Sequence, residues 1–334
     1  MSDITTVGID LAKNVFALHG VDGSGRVVLR RTVRRERLAP LVAQLPACLI
    51  GMEACTGAHE WARQFAKFGH QVRLMAPKFV APYRQSGKND DNDAQAICEA
   101  VGRPSMRFVP VKTLEQQAVL AQHRVRQGFI EERTATLNRI RGVLAEFGQV
   151  LPQRAGEVRR GLAQRLEQLP SQVAAALQDL LSHVRVLDER IGAYDRELQQ
   201  HARTEPNAQR IQQLSGIGPI TASAIVASVG TAREFRNGRQ FAAWLGLTPR
   251  QYSSGGKTRL GHITRRGDPY LRTLLIMGAR AVLQSAARHT DRLSRWALAL
   301  KARRGYHRTC VAIAAKNARI LWVLLARGAT LRMA

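Results

Sequence analysis

The chain is poor in cysteine: four residues in 334, Cys48, Cys55, Cys98 and Cys310, with no CxxC and no cysteine–histidine pair at zinc spacing. A disulfide scaffold and a zinc module are thereby excluded, and free buried thiols in a reducing cytoplasm are the simplest expectation. No basic stretch leads into an apolar core at the start, MSDITTVGID, so no signal peptide is expected. Long apolar runs are missing as well. ILWVLLA, near the end, is far shorter than a membrane span, and no membrane partner is expected. Acidic residues are scarce, with 25 Asp and Glu against 51 Lys and Arg, for a net charge of +26. The deficit is uneven. From Asn207 to the end only Glu234, Asp268 and Asp291 oppose 22 Lys and Arg, so this segment holds +19 of the total. A charge so one-sided predicts a nucleic-acid partner, because each neutralised phosphate releases counterions.

What is present suggests two or three domains, each long enough for its own core. Thr5 to Leu18 reads as strand, tight turn and returning strand, and Arg26 to Val33 as a third strand. A buried strand from Ala47 to Met52, a helix from Gly57 to Phe68 and a strand from Gln71 to Met75 follow. A three-stranded meander, then strand, helix and strand, implies an α/β domain with a mixed sheet, in the order of the ribonuclease-H-like fold. Asp10 sits within an apolar strand, where an unpaired carboxylate is costly to desolvate, and Glu53 ends another strand. Asp90 and Asp93 lie in KNDDNDA at a helix start, three apart and so on one face, with Asp91 turned elsewhere. Singly, each has an ordinary explanation: a polar residue near a turn, a strand-end charge, an N-cap for Asp90. Strand order, however, brings the four towards one end of the sheet. Crowded carboxylates repel unless divalent cations separate them, so the set predicts a Mg²⁺ or Mn²⁺ site at Asp10, Glu53, Asp90 and Asp93.

Further on, Thr113 to Phe147 and Ser171 to Ala202 read as long helices. In the second, Val173, Leu177, Leu180, Val184, Leu187, Ile191, Tyr194 and Leu198 alternate spacings of four and three, the seam of a coiled coil, within one chain or between chains. An amphipathic helix packed on its own domain is the alternative. Gln213 to Gly230 reads as helix, Gly-Ile-Gly-Pro turn and helix, either a plain hairpin or a helix-hairpin-helix gripping a nucleic-acid backbone at Gly216 and Gly218. A short helix, Phe241 to Leu247, leads to QYSSGGKTRLGHITRRGD. Here hydroxyls on a glycine-rich turn stand among cations, a composition suited to a polyanion. Arg250, Ser253, Lys257, Arg259, Arg265 and Arg266 are its candidate phosphate ligands, and His262 is a phosphate contact or an acid–base group. Tyr270 to Arg288 and His307 to Arg327 are amphipathic helices packed behind.

GIDLAK with Asp10, GMEACTG with Glu53 and KNDDNDA with Asp90 and Asp93 together resemble the DEDD signature of the insertion-sequence family 110 transposases, also called Piv/MooV-type recombinases. LSGIGPITA followed by FAAWLGLTPRQYSSGGKTRLGHITRRGDPYLR resembles that family's second domain, so the resemblance spans the chain. It implies a RuvC-like domain over residues 1–106, a helical coiled-coil arm over 107–205 and a mainly helical transposase domain over 206–334. It also implies a recombinase directed by a structured bridge RNA that pairs with donor and target double-stranded DNA. Dimers pairing into a tetramer, in the prokaryotic cytoplasm at the nucleoid, complete that expectation. The family pattern places its serine directly before the glycine, which here is Ser254, with Ser253 next to it. Ser254 would attack a phosphodiester and form a covalent phosphoserine intermediate, completing the site of the four acids, in its own subunit or in another. A metal-dependent nuclease or junction resolvase using activated water, and a non-catalytic binding scaffold, are the competing readings.

Overall fold

A computed structural model describes residues 4–85, 87, 89–152 and 154–331. Lys88, which opens the string carrying Asp90 and Asp93, lies outside the described residues. The chain divides into two compact units, Met1–Thr113 and Leu114–Ala334.

The first unit holds a mixed six-stranded sheet of order β3-β2-β1-β4-β5-β6. Its strands are β1 Ile4–Asp10, β2 Val15–Asp22, β3 Val27–Arg34, β4 Leu49–Glu53, β5 Gln71–Met75 and β6 Phe108–Val109. The first three form an antiparallel meander, β1, β4 and β5 run parallel, and β6 closes the edge antiparallel to β5. The expected meander and strand–helix–strand unit are therefore present; β6 and the helix α1 (Arg35–Ala43) were not anticipated. Pro40 inside α1 and its low apolar contrast explain why that helix was hard to read.

Alternation sorts the strand residues onto two faces. Val7, Ile9, Phe16, Leu18, Ile50, Met52 and Leu74 pack with Leu38 and Val42 of α1 and with Trp61 and Phe65 of α2 (Ala58–Lys67). After β5 come α3 (Pro77–Val80) and α4 (Asp90–Val101). The opposite face is covered by α4, and two glycines let it come close. Gly8 and Gly51 are register partners on the parallel strands β1 and β4. A Cβ on Gly8 would lie 2.2 Å from the Ala94 carbonyl oxygen and 2.4 Å from the Cys98 nitrogen, and one on Gly51 would lie 2.7 Å from Val101 Cβ. No side chain fits at Gly8, since the obstructing atoms are helix backbone.

The second unit is helical. The long helices α5 (Leu114–Glu146) and α7 (Ser171–Thr204) flank α6 (Ala155–Ala163). Residues α8 (Pro206–Gln212), α9 (Pro219–Val229), α10 (Gly238–Trp244), α11 (Pro269–Ser285), α12 (Arg292–Arg304) and α13 (Tyr306–Ala326) follow, with a hairpin of β7 (Pro249–Gln251) and β8 (Leu260–Ile263). The hairpin strands and α12 were missed in the sequence, the former being only three and four residues long. Along α7, Leu177, Val184, Leu187, Ile191 and Leu198 of the heptad seam are buried. Antiparallel pairing with α5 of the same chain is fixed by Gln122–Glu197 at 2.8 Å, Arg126–Asp195 at 2.6 Å and Arg133–Asp188 at 2.9 Å. These partly exposed pairs set register more than stability.

Two expectations need correction. Three cysteines are buried, but Cys55 is exposed, because it follows the end of β4 where the sheet gives way to a loop. By length and mean hydropathy α13, with 21 residues, could cross a membrane, so an apolar helix of spanning length does exist among the described residues. Its Ile313, Ala314, Ala318, Leu321 and Leu324 fill the core of the helical unit, which accounts for their apolarity.

One buried polar chain ties four helices of this unit together. His123 of α5 is 1% exposed, with Nδ1 2.9 Å from the Tyr270 hydroxyl of α11 and Nε2 3.0 Å from Ser223 Oγ of α9. Ser223 Oγ is also 3.0 Å from Nδ1 of His201, on α7. Every group is satisfied when the imidazoles are neutral: Tyr270 donates to His123, His123 to Ser223 and Ser223 to His201. Burial, with the nearby Arg126 and His201, accordingly depresses the His123 pKa to about 4.

Two predictions follow from this packing. Gly8→Ala should lower the unfolding free energy by the roughly 1–3 kcal/mol of an overpacked core, seen as a lower urea midpoint; an unchanged midpoint would contradict the close approach of α4. For His123 the folded pKa lies below the unfolded one, so its stabilisation is complete above about pH 6.5 and is lost as pH falls towards about 4. Full protonation should cost at most about 3 kcal/mol. His123→Gln should flatten the dependence of unfolding free energy on pH in that window.

Candidate functional sites

The glycine groove determines where the acids go. Side chains two residues apart on a strand share a face. Asp10 therefore stands on the α4 side of β1, two residues beyond Gly8, and Glu53 on the α4 side of β4, two beyond Gly51. Ile9 and Met52 are register partners, so the carboxylates leave adjacent parallel strands side by side at their C-terminal ends. That edge is where open α/β sheets bind ligands. Helix α4 supplies the others from its first turn. Its N-cap is Asn89, whose side chain accepts from the Asn92 amide at 2.7 Å, so Asp90 is not needed as a cap. Asp91 faces elsewhere, as expected: its charge is felt by the buried His19 of β2.

Asp10, Glu53, Asp90 and Asp93 line one cleft of about 530 Å³, together with Pro77, Lys78, Ala81 and Arg84. Asp93 is ion-paired with Arg84, whose side chain is 30% exposed against 15% for Asp93. Cys55 reports on the local charge: partial desolvation raises its thiol pKa, and the carboxylates of Glu53 and Asp10 raise it further. The donor set, all carboxylate oxygens, suits a hard divalent cation such as Mg²⁺ or Mn²⁺. Among the described residues, however, no three acidic, histidine or cysteine side chains are gathered tightly enough to hold an ion as they stand. Asp93, one of the four carboxylates, is already paired with the Arg84 guanidinium. Sequence reasoning missed Lys78, Arg84 and Cys55; the run PKF directly after a core strand was the available signal.

In the helical unit the Ser-Ser-Gly-Gly stretch is the tip of the β7–β8 hairpin. Lys257 N donates to Ser254 O at 3.0 Å, and Gly255 and Gly256 have φ of 54° and 74°. Two positive φ values in succession make a type I′ turn, whose twist matches the flanking strands. The serines differ. Ser253 Oγ accepts from Gln251 Nε2 at 2.9 Å and from the Arg259 amide at 3.3 Å. Ser254 Oγ has no hydrogen-bond partner among the described residues and faces solvent. Arg250, Lys257, Arg259 and His262 are exposed on the same hairpin.

At the hairpin base, Arg265 N donates to Gly246 O at 3.2 Å, and Arg265 adopts φ of 54°. A left-handed arginine costs on the order of 1 kcal/mol, which the surrounding turn must offset. Arg265 and Arg266 are both exposed as a result. The Gly-Ile-Gly-Pro turn lies between α8 and α9. Gly216, with φ of 85°, presses its carbonyl against α11, where a Cβ on Gly278 would lie 1.9 Å from that oxygen. Gly216 thus has a packing role, while Gly218 is an exposed N-cap of α9.

Comparison with known proteins places this geometry. A DEDD-type transposase model of the IS110 group matches residues 7–148, which include the whole acidic cleft. A second model, described as Transposase IS116/IS110/IS902 family, matches residues 208–294, which include the hairpin. A probable family 20 transposase of Pseudomonas aeruginosa is 50% identical over 97% of this chain and 98% of its own length. The transposase for insertion sequence element IS1111A of Coxiella burnetii is 44% identical over 99% of this chain and 92% of its own. That for insertion sequence element IS1328 of Yersinia enterocolitica is 40% identical, with 98% of each chain covered. The chain belongs to the IS110/IS116/IS902 family of DEDD insertion-sequence transposases.

Proposed function

We propose that this transposase cuts and rejoins DNA through a covalent serine intermediate, with a divalent cation held by Asp10, Glu53, Asp90 and Asp93. The observation that carries the reading is the convergence of these four carboxylates, from two parallel strands and one helix start, on a single cleft. The strand order supports a ribonuclease-H-like, RuvC-type domain for residues 1–106. The α5–α7 pair supports a coiled-coil arm within residues 107–205, and the remaining 206–334 would be the transposase domain proper. Bound there, Mg²⁺ or Mn²⁺ would polarise the scissile phosphate and stabilise the leaving oxygen.

The nucleophile is assigned to Ser254. Its hydroxyl is solvent-facing and unengaged, whereas that of Ser253 is occupied within the hairpin. Attack by Ser254 Oγ forms a bond to phosphorus as one phosphorus–oxygen bond to deoxyribose breaks. The phosphoserine conserves the bond energy, so that a hydroxyl from another strand can reverse the step and complete strand exchange. Arg250, Lys257, Arg259, Arg265 and Arg266 would bind phosphates and offset developing charge, with Ser253, Gly216 and Gly218 as further backbone contacts.

The partners proposed are donor and target double-stranded DNA and a structured bridge RNA that pairs with each. The excess of +19 from residue 207 onwards supports such an amount of nucleic acid. Assembly as a homodimer and then a tetramer, at the nucleoid of a prokaryotic cytoplasm, belongs to the same reading.

With a plasmid carrying the insertion sequence, the parent should yield a protein–DNA adduct that survives denaturation. Ser254→Ala should abolish the adduct and lower recombination at least about 1000-fold, and Ser253→Ala far less. Ser254→Ala protein that still recombines at the parental rate would instead indicate attack by activated water. Asp10→Asn should be equally inactive while remaining folded, as judged by an unchanged urea midpoint. RNA retained on the purified chain should contain a structured segment matching both element and target; retention of unrelated RNA alone would count against bridge-RNA guidance.

A further inference from the structure

The ion pair in the acidic cleft assigns a part to a residue outside the acidic set. We propose that Arg84 is an exchangeable occupant of the cation site. It holds Asp93 in the cation-free protein and turns to a phosphate oxygen of bound DNA when a divalent cation takes Asp93. This inference rests on the reading of the cleft as a cation site.

Three observations support it. Arg84 and Asp93 both line the cleft that contains Asp10, Glu53 and Asp90, so the guanidinium stands among the proposed ligands. The pair is partly open to solvent, with the arginine 30% exposed. An ion pair of that kind is weak, and a divalent ion drawing on four carboxylates outweighs one guanidinium. Finally, among the described residues no three candidate ligands are gathered tightly enough to hold an ion as they stand. A site already paired with its own cation avoids carboxylate repulsion before the metal arrives.

Release gives the arginine a destination. It extends from the short turn Ala81–Tyr83, which follows α3, and Lys78 of α3 lines the same wall. A guanidinium presents a planar fork that matches two phosphate oxygens, a task for which a lysine is a point charge only. Metal and phosphate binding would then be coupled through one side chain: the cation frees Arg84, and Arg84 adds a contact to the DNA that the cation helps to cleave. Coupling of this sort is reciprocal, so each partner strengthens the other.

Mn²⁺ binding to the full chain, read by electron paramagnetic resonance, tests the first half without any reaction. Arg84→Gln should bind Mn²⁺ roughly 2- to 5-fold more tightly than the parent, the scale of a partly exposed ion pair. Asp93→Asn should bind it more weakly. Affinity for a fluorescent DNA duplex, with Ca²⁺ as a non-cleaving cation or with chelator, tests the second half. With Ca²⁺, Arg84→Gln should weaken binding and lower the slope of log affinity against log salt by about one phosphate contact. With chelator it should bind as the parent does, and Arg84→Lys should recover part of the loss in Ca²⁺. Unchanged or weaker Mn²⁺ binding by Arg84→Gln, or a DNA deficit equal in Ca²⁺ and chelator, overturns the proposal; the latter marks Arg84 as a static clasp. If Mn²⁺ affinity depends on Asp93 but not on Arg84, only this inference fails. If neither Asp10→Asn nor Asp93→Asn alters Mn²⁺ binding, the cation site itself is wrong.

Discussion

Contact between the backbone of α4 and the bare strand at Gly8 is the constraint on which the acidic cleft depends. A helix packed on a sheet through ordinary side chains stands about 10 Å away, too far for its first turn to share a site with strand-end residues. Here Gly8 and its register partner Gly51 remove that layer, and the helix rests on the strands themselves. Two residues along each strand, on the same face, stand Asp10 and Glu53. The spacing that makes room for the helix therefore also aims the acids at its N-terminus. Asn89 caps that terminus, leaving Asp90 and Asp93 to face the cleft.

The price of gathering like charges is carboxylate repulsion, and the cleft meets it with cations of its own. Lys78 and Arg84 line its wall, and Arg84 engages Asp93. Burial raises the Cys55 thiol pKa beside the cleft, and the carboxylates of Glu53 and Asp10 raise it further.

In the helical unit the problem is reversed, since cations are abundant and must be displayed rather than neutralised. A type I′ turn does this by projecting Ser254 and the neighbouring Lys257 into solvent at the tip of a two-stranded hairpin. Such a hairpin is marginal alone. Its base is held by tight glycine contacts: a Cβ on Gly246 would meet the Arg266 carbonyl oxygen at 2.2 Å, and one on Gly267 the Trp244 carbonyl oxygen at 1.8 Å. Deeper in the unit, the neutral Tyr270–His123–Ser223–His201 chain joins α5, α7, α9 and α11. Such a network specifies one packing arrangement because any shift leaves a buried polar group unsatisfied.

Periodicity in the sequence was sufficient for the mixed sheet, the strand Gln71–Met75 and the two long helices, whose ends fall within two residues of the expected ones. Those elements are long or strongly patterned, so local propensity and burial agree. That the four acids would lie towards one end of the sheet was likewise legible, because strand order places Asp10 and Glu53 at the ends of parallel neighbours and a spacing of three sets Asp90 and Asp93 on one helical face. The hairpin strands, α1 and α12 were not, as short or weakly patterned segments take their structure from what packs on them. Within Pro77–Arg84 only the run PKF after a core strand hints at a cation beside the acids, and nothing local announces that Arg84 pairs with Asp93. Likewise, His123, His201, Ser223 and Tyr270 are separated by up to 147 positions and meet only when four helices pack. The spacing along α7 left its packing partner open; α5 of the same chain packs antiparallel on it, with Arg126 and Arg133 paired to Asp195 and Asp188. Sequence alone determined the long, strongly patterned elements, the charge and the candidate site residues, since these depend on side-chain type and spacing. Tertiary structure decided which of them share a cleft, because close approach is set by glycine-permitted packing between segments that no spacing rule connects.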